Sequence, residues 1–276
     1  RYPKGHPMYR MTLDEEIKAI KDVSVDKMQA YFKDHYGISN NASLIAIGNI
    51  NEQELKNYFE KEFGNYKSKY LFKPINNEYK SNKPVNESIV TPDKKNAFTT
   101  GSLSFKASQD DDDYAALQIA GNIFGGGFLN SRIATRLRQK DGVSYGAGGG
   151  VSVDGTKADK NSVMFIYAIY APQNSAKVQI GFEEEIARFI KDGITQEELD
   201  NAVKGWVQAQ TVSRAKDNEL SRLINNNVYY KRDLTFQKSL ENKVKKLTVK
   251  DVNRAIKKHF KTFDKWTVVN AGDFKN

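Results

Sequence analysis

Apolar residues recur at helical spacing behind an oxygen-bearing side chain, with an acid three positions on, at Thr12 with Glu15, Asn51 with Glu54 and Thr195 with Glu198; each predicts a helix start. Ser24 and Thr248 open two more helices, which end before His35-Tyr36-Gly37 and His259-Phe260. Alternating or β-branched runs predict strands at 44–48, 87–90, 97–107, 143–153, 162–170 and 267–271. A helical pattern starts at Tyr114 and continues through Leu117, Gly121 and Phe124. A glycine hairpin at 125–127, a helix through Arg138 and a tight turn at Gly142 follow. Longer helices are predicted at 175–191, 196–210 and 216–230. Strands near enough in sequence to pair as hairpins, mixed with helices, indicate an α+β fold: repeated sandwich modules with helices on one face of a mainly antiparallel sheet.

Residues 23–50 and 247–274 align without a gap at an offset of 224. Only four of the 28 positions are identical (Val25, Lys33, His35 and Gly48 with their counterparts), but apolar and capping positions agree in class. The pattern reads as a duplicated module whose first copy enters midway, its start lying about 140 residues before Arg1. The expected organisation is therefore a second half-module at 1–70, a polar linker at 71–83 punctuated by Pro74, Asn76 and Asn77, and a complete module at 84–276.

Composition narrows the function. With 276 residues and 39% hydrophobic content the chain can bury one or two cores, and it has no apolar run long enough to span a bilayer. No membrane association is expected. The absence of cysteine removes disulfides and thiolate chemistry. A net charge of +9 comes from scattered lysines with acids close by, not from a basic stripe interleaved with aromatics, which argues against nucleic acid as a partner.

The three histidines, His6, His35 and His259, form neither HExxH nor HxxEH, so no helix face holds a zinc site and no metal ligand is assigned. His35 and His259 suit helix carboxyl ends. Four adjacent acids, Asp110, Asp111, Asp112 and Asp113, lack the spacing and central glycine of a calcium loop and read as charge complementing a helix start. The glycine clusters at 125–127 and 146–150 lack a phosphate-loop setting and instead mark close backbone approach, at a strand suited to an extended peptide. Between them, Arg138 at a helix end and Tyr145 after the Gly142 turn bring two hydrogen-bond donors together, a pairing suited to a peptide carbonyl that gains charge, although an ordinary surface arginine and half-buried tyrosine fit the same spacing.

The opening YPKGHP, the unit ending Ala46-Ile47-Gly48-Asn49-Ile50, Asp113 to Leu117 and above all GGGFLNSRIATRLRQKDGVSYG at 125–146 resemble the pitrilysin/insulinase family of zinc metallopeptidases. The resemblance is to the carboxy-terminal part without zinc, most like the long four-domain bacterial members; in a short two-domain member the upstream piece would itself bear HxxEH. It implies a zinc endopeptidase that cleaves peptides in a clamshell chamber, with Arg138 and Tyr145 binding substrate, no catalytic residue in this chain, and zinc carried by an N-terminal half as partner. The chain alone would then be inactive. The fold also serves as a non-catalytic scaffold or peptide-binding subunit, which is the alternative. Export of long members implies a periplasmic location.

Overall fold

The computed structural model describes residues 2–274 and divides into two compact units. Residues up to 76 together with 217–231 form the first, and 77–216 with 232 onward the second. The first unit holds α1 (Leu13–Lys21), α2 (Val25–His35) and α3 (Glu52–Phe63). Each starts where the capping pattern predicts: Thr12 and Glu15 form a reciprocal capping box, and Ser24 and Asn51 accept main-chain N–H bonds. A helix distant in sequence, α8 (Asp217–Tyr229), joins them, Ser43 Oγ donating to Asn225 Oδ1 at 3.2 Å and Phe72 meeting Tyr229 edge-on.

Segment 44–48, expected to be a strand, forms none. No named strand lies in the first unit for it to pair with, and a lone strand leaves its main-chain groups without a ladder. No residue from 2 to 76 is buried, and Met28, Tyr31 and Phe32 on α2 are more than half exposed.

The second unit is a five-stranded sheet with helices on one face. Its strands are β1 (Asn86–Val90), β2 (Ala97–Lys106), β3 (Ser144–Ser152), β4 (Asn161–Tyr170) and β5 (Thr267–Gly272), in the order β1-β5-β2-β4-β3. Only β1 with β5 is parallel. Along β2, residues 97, 99, 101, 103 and 105 point to the helices and are buried while their neighbours face outward, the period-2 signal that made the strand readable. The helical layer is α4 (Tyr114–Gly121), α5 (Arg132–Ala134), α6 (Ser175–Asp192), α7 (Gln196–Arg214), α9 (Thr235–Lys245) and α10 (Val249–His259). The sequence reading had no helix at α9.

The two copies of the repeat share helix caps but not surroundings. On α10, Val252, Ala255 and Ile256 are fully buried beside α4 and α6, whereas Met28, Tyr31 and Phe32, at the same offset on α2, are exposed.

Two further expectations are corrected. Residues 125–127 make no hairpin; α4 continues as a wider π-type turn through Asn122–Gly126, because its glycines let it lie directly on β3. The acids at 110–113 do not cap α4 with a side chain. Three of them meet basic side chains instead: Asp110 pairs with Arg232, Asp111 with Lys160 and Asp113 with Lys258, and Asp113 also hydrogen-bonds His259.

Candidate functional site

Helix α5 is anchored from beneath. Ser131 caps it, and Ile133, Ala134 and Leu137 are buried. Arg132 forks onto Glu198 at 2.6 and 2.7 Å, donates to the Gly193 carbonyl at 2.7 Å and lies over the Phe189 ring. Burial pushes the Glu198 carboxyl upward, but the Arg132 hydrogen bonds and the Thr195 N–H more than offset this and hold it below its ordinary value. Beyond α5 the chain winds through a π-type turn, Thr135–Lys140, in which Arg136 reaches Asp141 and Glu184, both at 2.7 Å. Every inward position is thus committed, and Arg138 projects outward, exposed and without a partner among the described residues.

The Gly142 turn, with φ at +62°, reverses the chain into β3. Val143 N–H donates to the Leu137 carbonyl at 3.0 Å, fastening the start of the strand to the helix that carries Arg138. Ser144 Oγ donates to the Ile169 carbonyl at 2.9 Å, and the ladder then slips between Ser144 and Gly146. Tyr145 occupies that bulge. It is 84% exposed, a large cost for an aromatic ring with no packing role. Arg138 and Tyr145 therefore stand on elements packed against each other, both open to solvent.

Beside them, β3 is an edge strand whose outer side is unpaired among the described residues. On its solvent face the rings of Tyr167 and Phe165 cover Gly148 and Gly150, and Phe98 stacks on Tyr167. This aromatic floor was missed in the sequence; it exists only through the β3–β4 and β2–β4 registers. The clamps Arg132 and Arg136 were also missed, although the Thr195–Glu198 capping box already marked Glu198.

A sequence profile of the family described as "Peptidase M16 inactive domain" matches residues 22–205, well over half of the chain. The chain belongs to the peptidase M16 inactive-domain family. This bears out the resemblance to the non-zinc part of the pitrilysin family. The M16 chain is 24% identical over 173 residues to the "Non-peptidase homolog YmxG" of Helicobacter pylori, covering 63% of this chain and 39% of that protein. A solved M16 inactive domain from Pseudomonas fluorescens superposes with a TM-score of 0.76 at 22% identity, over 92% of this chain and 59% of that one. A protease from Helicobacter pylori gives 0.75 at 18%, over 92% and 60%. The periplasmic protease PqqL of Escherichia coli gives 0.60 at 14%, over 81% and 24%. At these identities the structures establish the shared fold, and the chain spans less than two thirds of each of these relatives.

The described residues offer zinc no donor set. No cluster of three metal-binding side chains exists among the described residues, and each histidine is otherwise engaged. His6 Nδ1 accepts from Met8 N–H, His35 Nδ1 donates to the Tyr31 carbonyl, and His259 meets Asp113. Nor is any helix of the described residues long and apolar enough to cross a membrane.

Proposed function

We propose that this chain is the substrate-binding part, without zinc, of a clamshell endopeptidase whose metal-bearing half lies outside it. The observation that carries the reading is Tyr145, a fully presented phenol on the bulge of a glycine-rich edge strand, tied through Val143 and Leu137 to the helix of the unpartnered Arg138. An extended peptide laid along β3 would find main-chain partners on the strand and an apolar floor in Phe165 and Tyr167. The Tyr145 hydroxyl and the Arg138 guanidinium would donate to a substrate carbonyl, an interaction that strengthens as that oxygen gains charge. Activation of water belongs to groups this chain does not hold. The name of the periplasmic relative supports a periplasmic location.

A second reading is favoured by the relative named as a non-peptidase: a scaffold or peptide-binding subunit in which the same surface holds peptide without cutting it. Kinetics on the full-length protein separate the two. For a peptidase, Tyr145→Phe lowers kcat on a quenched fluorescent peptide by about 100-fold with little change in KM. No turnover by the wild type, with peptide binding abolished by Arg138→Ala, establishes the subunit reading. Turnover and binding untouched by either substitution would sink both.

A further inference from the structure

A second open edge lies at the far end of the sheet. Strand β5 accompanies β2 only from Phe98 to Ser102, because the chain before Thr267 turns away in a tight 3-10 turn, Phe263–Lys265, held by Trp266 Nε1 donating to the Lys261 carbonyl at 2.9 Å. Strand β2 runs on to Lys106 beside β4 alone. Ala107 N–H donates to the Lys160 carbonyl on the β4 side. Antiparallel alternation therefore turns the peptide groups of Ser104 and Lys106 the other way, to where β5 would have continued. No main-chain bond meets them there among the described residues.

The vacated place is a cleft of about 710 Å³ between β2, the end of α10 and segment 79–84. Lys106, Lys258, Lys261 and Lys265 line it with His259, and no carboxylate does among the described residues. Lys258 is bonded to Asp113, and Lys265 to the exposed Asp264. Lys261 donates only to a carbonyl, and Lys106 has no side-chain partner among the described residues.

We propose that this slot binds an extended acidic peptide as an added strand on β2, its main chain pairing with Ser104 and Lys106 and its carboxylates meeting Lys106 and Lys261. The site is separate from Tyr145, whose strand neighbours lie at the opposite end of β4, about 27 Å away along the strand. It does not rest on the function proposed above.

Binding of fluorescein-labelled Glu-Thr-Glu-Thr-Glu to the full-length protein tests the idea. Lys106→Glu, an exposed position, should weaken binding about tenfold without shifting the thermal midpoint. N-methylation of the peptide on alternate residues should cost about tenfold in one phase and little in the other, because only one edge faces β2. Tyr145→Ala, which removes the ring proposed to hold peptide at the β3 edge, should leave the affinity unchanged. No binding at about 1 mM peptide, equal binding of both N-methylated forms, full displacement by inorganic triphosphate with indifference to N-methylation, or loss of binding in Tyr145→Ala would each overturn the proposal.

Discussion

The main chains of Gly125 and Gly149 touch: a methyl group added at Gly125 would stand 2.5 Å from the Gly149 nitrogen. This contact sets the depth at which the helical layer rests on β3, and through β3 the presentation of Tyr145. Gly125→Ala should therefore destabilise by about 1–3 kcal/mol, the usual cost of overpacking, in urea unfolding. Gly146→Ala, where no atom lies within 4 Å of the added methyl, is the control and should be neutral or slightly stabilising.

Tyr145 makes the opposite prediction. Because its ring is 84% exposed, Tyr145→Ala should change unfolding free energy by less than about 0.5 kcal/mol while abolishing peptide binding. Calorimetry of the wild type and Tyr145→Ala beside a peptide titration checks the separation.

Arg132 is a support. Replacing it with Ala leaves the partly buried Glu198 without its cation and the Gly193 carbonyl without its donor, at a cost of about 2–3 kcal/mol. Lysine should recover little, since a single ammonium cannot reproduce the fork. Denaturant midpoints of Arg132→Ala and Arg132→Lys test this.

Acid should loosen the second unit in two steps. Burial lowers the His259 pKa below its ordinary 6.5, with Asp113 opposing and Lys258 and Lys261 assisting. The unfolded chain takes up that proton first, so stability falls as pH drops through 6.5 toward the lower folded value. Burial raises the Asp113 pKa, but Lys258 and His259 more than offset it and hold it below 3.8, so its contribution is lost in a lower window, below that value. In thermal midpoints measured from pH 8 to pH 3, His259→Gln should flatten the upper step and retain the lower.

Strands β2, β4 and β5 were legible because each alternates against one helical layer: 97–107 predicts β2 almost to the residue, and 162–170 predicts β4. Capped helices were legible because Thr195 with Glu198, and Thr248, carry their own start signal. Helix α9 has no such start signal, since Leu234 at its N-cap carries no oxygen to accept a main-chain N–H, and it escaped notice. Segment 44–48 shows the limit of period-2 reasoning, since alternation states what a strand would bury and not whether a neighbour exists to pair with it. Spacing and resemblance single out Arg138 and Tyr145, and the structure places both in solvent on elements packed against each other. The slot at Ser104 and Lys106 was invisible, because it arises where β5 stops short, a matter of register rather than of residue type.

The unburied apolar faces of α1 and α2 have a practical consequence. Ile20, Val25 and Met28 remain largely in contact with water, so the cost of ordering these helices is poorly repaid by their own packing. Handled as an isolated polypeptide, this region should bind a hydrophobic dye, exchange its amides early and be the first place where protease nicks and clumping begin.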